Sequence, residues 1–466
     1  MSKIANMNFD ATADVVVIGG GLAGCSAALS AAQAGADVLL LEKQPDCGGS
    51  TVLSGGFLAF AGTDMQEEHG VEDTNELIFK DLMDAGGGAN DERLVRTYVE
   101  GQLDLYRWLC GLGIRFTDLE VGSGQSVPRG HITVTRTLID TLRKAAEATG
   151  SVTVRYDTQA KELIRDGIDG PVVGVVAMSD GEPLRIGARN GVVLTSGGFS
   201  RSEDLLRNFA PNQAKALRIG GAGNTGDGLK MAWRLGAGLR DMGFVKGTFG
   251  THPDTGPDRH ELLLAYYVGA IMVNKNAKRF IDESLTYKVL GDACLEQPDQ
   301  LAFQIWDQDI QDRSEDGVPL FDFKPALESG KLISADTLEE LAAKCGLDPE
   351  ALKATVERYN GDVEGGIDRD FGRDGLSNHH GRIRRIDRAP FYAYPSTSIV
   401  LATYCGLTID ENARVIDVMN RPIDRLYAAG EITGGFHGVT YMTGSSLGKA
   451  AFFGRLAGRN CAAAAA

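Results

Sequence analysis

The sequence predicts an α/β fold built around an open, mainly parallel sheet, with a smaller α+β domain inserted into it. Three observations carry this. Between Asp14 and Glu42 a β-branched strand, a glycine-rich turn, an alanine-rich helix and a second apolar strand follow one another. Two later apolar runs, Gly191 to Thr195 and Leu426 to Ala429, end in glycines as buried parallel strands do at a ligand-bearing edge. The stretch from Asp241 to Arg388 changes character and carries most of the aromatic and charged loops. The expected division is therefore 1–240 with 389–466 as one domain and 241–388 as the other. A length of 466 residues suits two or three domains.

Composition narrows the function classes. An apolar content of 43% supplies a sizeable core, which excludes global disorder. Sixty glycines without a Gly-X-Y period exclude collagen and point to tight backbone turns around a ligand. A net charge of −16 argues against nucleic acid or an anionic membrane as partner. The seven cysteines are scattered with no C-x-x-C, which argues against a disulfide framework, a zinc site and covalent haem, and for a reducing compartment. No apolar run is long enough to span a membrane. Met1 to Ala13 lacks the pattern of a signal peptide, so a soluble, cytoplasmic protein is expected.

The first strand, Asp14 to Ile18, leads into Gly19-Gly20-Gly21-Leu22-Ala23-Gly24, a helix from Cys25 to Ala34, and the strand Asp37 to Leu41 closing on Glu42. This is the dinucleotide fingerprint in its full context. Gly19 permits the tight turn, Gly21 lets backbone approach a pyrophosphate, and Gly24 lets helix pack on strand. The helix N-terminus offers free N–H groups to phosphate, and Glu42 is placed to bind ribose hydroxyls. A second glycine- and hydroxyl-rich loop, with Gly48, Gly49, Ser50, Thr51, Ser54, Gly55 and Gly56, extends the cradle for a ligand longer than one pyrophosphate. That favours FAD over NAD. Gly221, Gly223 and Gly226 match the same fingerprint by count alone. They lack the flanking strand and are read as a chance match, although Asn224 to Gly228 opens a helix over Leu229 to Leu235.

Further along, Val152 to Tyr156 and Val172 to Val176 read as a hairpin around the turn Asp166 to Gly170. Ser334 to Lys344 reads as a helix with a Ser cap, and Pro349 to Tyr359 as a helix stopped by Asn360-Gly361. A helix is expected from Leu447 to Ala457, with an anion-friendly start. The Ala462 to Ala466 tail reads as a frayed end or a cloning scar.

Together these segments resemble the flavoprotein family of fumarate reductase, succinate dehydrogenase and the 3-ketosteroid dehydrogenases. The matching stretches are Val17 to Gly24, the Gly48-to-Gly56 loop, Thr195 to Phe199, Thr225 to Gly228, Gly269 to Glu283, Asp368 to Arg373 and Leu426 to Gly438, in the family's order. The resemblance implies a glutathione-reductase-like, Rossmann-type FAD domain and a capping domain over the flavin. Ser50 and Thr51 stand where members with covalent flavin carry a His, so noncovalent FAD is implied. Contacts to FAD are implied for Gly19, Gly21, Leu22, Ala23, Gly24, Glu42 and Lys43 in the first unit of the fold. Gly49, Ser50, Thr51, Ser54, Gly55 and Gly56 follow in the second loop. Ala160, Ser196, Gly197, Asn224 and Asp227 come from the middle of the chain, and Gly430, Glu431, Ser445, Ser446 and Leu447 from its end, with the last three facing the flavin's N1/O2 edge.

Departures from the family pattern are as informative. The positions of the fumarate reductases' proton-donor Arg, relay Glu and Arg, clamping His and second clamping Arg fall on Tyr287, Leu263, Tyr266, Leu401 and Tyr441. Only a His near Thr251-His252-Pro253 is kept. A dicarboxylate needs cations at both ends, so fumarate or succinate chemistry is not expected. The segment Tyr441 to Gly448 resembles instead the Δ4-(5α)-3-ketosteroid dehydrogenases. The expected reaction is desaturation next to the keto group of a cyclic ketone, a 3-ketosteroid or a smaller ring such as 4-oxocyclohexanecarboxylate. Tyr441 and the Ser445 backbone would polarise the carbonyl. Tyr287 would take the α-proton, with Thr443 and Tyr266 as its relay, and the β-hydride would pass to flavin N5. The roles of Tyr287 and Tyr441 are interchangeable at this level. The alternative is the reverse reaction, reduction of an activated C=C in a non-dicarboxylate substrate. Phe57, Phe60, Phe249 and Leu401 are candidate pocket residues. Arg129, in Pro128-Arg129-Gly130-His131, is a candidate carboxylate anchor or a plain surface residue. The electron acceptor (a quinone, an electron-transfer protein or O2) is not marked by any motif.

Overall fold

The computed structural model describes residues 8–257, 259, 261–318, 320–377 and 381–464. Met1 to Met7 and the last two residues of the alanine tail lie outside them. The chain divides into two compact units, 1–210 with 220–245 and 402–466, and 211–219 with 246–401.

The first unit is built on one eight-stranded sheet. Its parallel part runs Pro422–Ala428, Glu182–Leu194, Ala11–Ile18, Val38–Leu41, Val152–Arg155. Val15, Val16 and Val17 are wholly buried, because a central parallel strand is covered on both faces. The expected hairpin is corrected here. Val152–Arg155 pairs in parallel with Val38–Leu41, and the partner of Val172–Ser179 is Thr158–Arg165. The latter strand has no clean alternation, since a bulge between Ala160 and Glu162 shifts its facing side chains. The helix Leu22–Gln33 packs against the long C-terminal helix Ser445–Ala463, which extends well past the expected Ala457. Gly454 and Gly458 permit this, since a Cβ at either would lie 2.3 or 2.1 Å from a carbonyl of the first helix.

The second unit centres on the strand Phe391–Val400. Ala302–Asp307, Thr248–Thr251 and Ile333–Ala335 pair with it antiparallel, and Leu217–Arg218 pairs parallel. These pairings explain why the unit's bounds differ from 241–388: residues 389–401 form the middle of its sheet and 211–219 its edge. Ser334 faces Tyr392 in this sheet, so the expected helix from Ser334 is a strand there. The helix starts at Leu338, where the Thr337 hydroxyl accepts from Glu340 N at 3.2 Å. The next helix runs through Asn360-Gly361 to Gly365. Asn360 bonds both backbone groups of Ile386, and this tertiary pairing overrides the local stop signal.

Candidate functional site

The first βα turn is built as its glycines demand. Gly19 adopts φ +106°, and a Cβ there would lie 2.6 Å from Thr195 O. At Gly24 a Cβ would lie 1.8 Å from Gly19 O, so the helix can sit this close only without a side chain. Gly21 is different: no protein atom comes closer than 4.0 Å to the place of its Cβ. The helix after it has no side-chain cap. Glu42 is buried, and its carboxylate accepts from Gly20 N at 2.7 Å and Gln44 N at 2.8 Å.

The second glycine loop folds onto this turn. Gly48 N donates to Gly20 O at 3.0 Å, and Leu22 N donates to the Thr51 hydroxyl at 3.3 Å. The Ser54 hydroxyl closes the loop on Thr51 O, and Gly56 packs on Thr133, whose carbonyl would be 2.0 Å from a Cβ. Ser50 Oγ accepts from Gly221 N and from Asn224 Nδ2, both at 3.0 Å. Asn224 also donates to Glu431 Oε2 at 2.9 Å, and Glu431 Oε1 accepts from Thr403 N at 2.9 Å. So the segment read as a chance fingerprint match links the second glycine loop to Glu431. Burial pushes the Glu431 carboxyl upward, against these donors and Lys449. Lys43 and Asp227 meet as an ion pair at 2.8 Å, with Gln159 also donating to Asp227. Ala160 lies buried in its strand. The Gly197 and Gly430 backbones pass close to Asn224 and Ala23. Ser196 Oγ is a buried hydroxyl with no hydrogen-bond partner among the described residues.

Gly444, at φ +84°, opens the C-terminal helix, again with no side-chain cap over Ser445, Ser446 and Leu447. The Tyr441 phenol oxygen accepts from Gly444 N at 2.9 Å. Burial pushes the Tyr441 phenol up to about 12. Tyr404, held at φ +55°, stacks on Tyr441 at 4.8 Å and 18°, and the His437 ring meets both edge-on. Thr443 is pinned by its backbone, N to Ser123 O and O to Gln125 Nε2.

In the second unit Tyr287 opens the helix Tyr287–Leu295 and is nearly buried. Tyr266 is wholly buried, and its hydroxyl has no hydrogen-bond partner among the described residues. Burial first, then the neighbouring Tyr267 and Tyr287, push its ionisation well up. The motif residues around it form a buried charge network. Arg279 bonds Glu283 at 2.6 Å and Asp368 at 2.9 Å. Arg373 reaches Glu283 at 3.4 Å and donates to Tyr266 O at 3.2 Å. Leu263 is buried, Leu401 half-buried, and His252 is held down by burial.

Two groups of expectations are corrected. Arg129 is neither a surface residue nor an open carboxylate anchor. It is wholly buried, with its guanidinium bidentate on Asp73 at 2.7 Å and bonded to Asp81. Phe60 and Phe249 are interior, not pocket, residues: Phe60 packs on Tyr106, Phe116 and His131, and Phe249 on Tyr266. Phe57 is half-buried. His131 in this cluster yields a pH prediction. Its Nδ1 faces Arg129 O at 2.9 Å and its Nε2 faces the Thr63 hydroxyl at 2.8 Å, which fits the neutral ring. Burial lowers it to about 4, against the pull of the Arg129 and Leu58 backbone. The unfolded chain, with His near 6.5, therefore binds the proton first as pH falls. Stability is complete above about pH 6.5 and falls by about 3 kcal/mol on the way to pH 4. Urea unfolding between pH 7 and pH 4.5 should show this slope, and His131→Asn should flatten it.

Compared with known proteins, residues 14–447 match the family described as FAD binding domain. The chain belongs to this FAD-binding family. The flavoprotein is 35% identical over 97% of its length to a probable fumarate reductase of Shewanella frigidimarina, 75% of which is covered. It superposes with a TM-score of 0.85 on the open conformation of a flavocytochrome c3 fumarate reductase, at 34% identity, covering 99% of this chain and 80% of that one. It also superposes, with a TM-score of 0.78 at 30% identity and 99% of both chains, on 3-ketosteroid-Δ4-(5α)-dehydrogenase from Rhodococcus jostii RHA1.

The flavoprotein is thus an FAD-dependent oxidoreductase, and its first unit fits the cofactor. Gly21 leaves open space beside an uncapped helix start, where pyrophosphate would bind. Ser196 Oγ is a buried hydroxyl awaiting a partner. Glu42 is fixed by two backbone donors with lone pairs left over. Among the described residues no helix is long and apolar enough to cross a membrane, and the seven cysteines form no disulfide. Sequence reasoning missed the Thr403 contact to Glu431, the place of His437 against the tyrosine stack, and Lys449. A lysine on the apolar side of a helix was the one available signal for the last.

Proposed function

We propose that the flavoprotein moves hydrogen across the C–C bond next to the keto group of an uncharged ring substrate, with enone reduction as the working direction. The observation that carries this reading is the replacement of guanidinium groups by the phenols Tyr287 and Tyr441. Arg279, eight residues before Tyr287, and Arg373 are committed elsewhere, in the buried network around Glu283. Arg129 is committed likewise to Asp73 and Asp81, which removes the anchor a ring carboxylate would need. The similarity to fumarate reductases favours reduction. Desaturation of the saturated ketone is the same chemistry reversed, and the similarity to the Δ4-(5α)-dehydrogenase keeps it as the second reading.

Bound FAD supplies or takes the hydride. Tyr441 polarises the ketone oxygen. Its high-lying phenol stays protonated at neutral pH, so it acts as a donor and not as a base. The Ser445 N–H expected to help is held by Met442 O at 3.1 Å, so the helix start adds the N–H groups of Ser446 and Leu447 to the same task. Tyr287 passes the proton to the α-carbon in reduction and receives it in desaturation, and Tyr266 stands next to it as a neutral phenol. The Tyr404–Tyr441 stack offers a flat aromatic wall to a ring.

The test is anaerobic: dithionite-reduced protein is mixed with a 3-keto-4-ene steroid, 2-cyclohexenone or fumarate, and flavin reoxidation is followed. The enones should reoxidise it and fumarate should not; the reverse pattern overturns the reading. Tyr287→Phe and Tyr441→Phe should keep bound FAD and lose about 10²–10³ in reoxidation rate.

A further inference from the structure

We propose that Lys449 is an electrostatic partner of the reduced flavin, a buried amine that takes up a proton when the cofactor is reduced. This inference rests on FAD binding and not on the choice of substrate.

Lys449 sits on the C-terminal helix four residues after Ser445, about 6 Å along the axis from the uncapped start. Its side chain is 2% exposed. Nζ donates to Thr433 O at 2.7 Å and lies 5.9 Å from the centre of the Phe436 ring. The titratable groups around it are Asp241, Glu431 and the Cys405 thiol, and no described carboxylate pairs with it within ion-pair distance. Both carboxylates are engaged by other donors: Asp241 accepts from Gly435 N at 2.7 Å, and Glu431 from Asn224 and Thr403. A buried ammonium without an ion pair is costly. The cost is offset if the site gains negative charge at some stage of its cycle.

FAD brings that charge. The cofactor cradle runs from the Gly21 turn through Ser50 and Asn224 to Glu431. Glu431 lies in the same neighbourhood as Lys449. The helix carrying Lys449 presents its positive end in the same unit. Two-electron reduction with uptake of one proton leaves a negative charge on the flavin, and charge near its ring nitrogens is a lever on its potential. Burial lowers Lys449 to about 8, against Asp241, Glu431 and Cys405. Above that pH the amine is neutral before reduction. On reduction it takes one further proton from water, so two electrons then enter with two protons in place of one.

The holoprotein's midpoint potential, titrated with dithionite and redox dyes from pH 6 to 10, tests this. Each proton taken up with two electrons adds about 30 mV per pH unit to the slope. The wild type should steepen from about 30 to about 60 mV per pH unit above pH 8. Lys449→Met should hold the shallow slope throughout. At pH 7 its midpoint should lie at least 30 mV lower, roughly a tenfold shift in the reduction equilibrium. Lys449→Arg, which keeps its charge but does not titrate, should keep the wild-type potential at pH 7 and lose the steep limb. A wild-type profile without the steep limb overturns the proposal, and so does a Lys449→Met profile that matches the wild type. If Lys449→Met does not hold FAD, the wild-type and Lys449→Arg profiles decide between the two outcomes.

Discussion

Gly24→Ala should strongly destabilise the first unit, whereas Gly21→Ala should leave the fold intact and remove the cofactor. The two glycines stand three residues apart in one turn and have opposite reasons to be there. The methyl at position 24 would meet Gly19 O at 1.8 Å. That atom is backbone, fixed by the strand Ala11–Ile18 and by the Thr195 hydroxyl, which donates to it at 2.9 Å. Relief requires the helix Leu22–Gln33 to lift from the sheet, and this helix is buried along nearly its whole length. Overpacking of this kind costs about 3 kcal/mol or more. At position 21 the nearest protein atom is 4.0 Å away, so the methyl costs the protein little and occupies space that the pyrophosphate requires. Flavin absorbance after purification and thermal unfolding of the apoproteins separate the two. Gly21→Ala should be colourless with an apoprotein melting temperature close to the wild type's. Gly24→Ala should be colourless with a melting temperature lowered by several degrees or with no folded protein recovered.

That contrast also marks what the sequence could tell. The strand, turn, helix, strand and Glu42 lie within one contiguous segment, so their geometry is written in local spacing. So is the second glycine loop. The proposed replacement of cations by Tyr287 and Tyr441 is likewise read residue by residue. What escaped depends on partners far apart in the chain. Arg129 looks like a loop residue until Asp73, from the loop before the helix Asn75–Ala85, and Asp81, on that helix, are brought to it. Asn360-Gly361 looks like a helix stop until Ile386 binds the Asn side chain. Thr158–Arg165 does not alternate, because a bulge between Ala160 and Glu162 shifts its register against Val172–Ser179. Phe391–Val400 reads as part of the nucleotide-binding half by position, and only its four pairings place it in the other sheet.

Removing Glu283 should be among the most damaging single changes in the second unit, and its damage should not add in full to that of removing its partner Arg279. Glu283 is wholly buried. It accepts from Arg279 at 2.6 Å, from Arg373 at 3.4 Å and from Met272 N at 3.0 Å. Asp368 pairs with the same Arg279. In Glu283→Ala two buried guanidinium groups face one carboxylate, and a carboxylate-sized gap opens beside them. Breaking a buried ion pair from one side costs about 3–5 kcal/mol, because the charge left behind is uncompensated. Arg373 also donates to the carbonyls of Tyr266 and Ala270, so the backbone carrying Tyr266 loosens with it. Equilibrium unfolding in guanidinium chloride should show the loss. Combining Glu283→Ala with Arg279→Met removes one charge of each sign from the network, leaving the Arg373 guanidinium and the Asp368 carboxylate, which accepts from Arg373 N, and lets methionine fill part of the gap. The double variant should then be more stable than the sum of the single losses by about 1–3 kcal/mol. Strict additivity would mean that the network's worth lies in packing and not in charge.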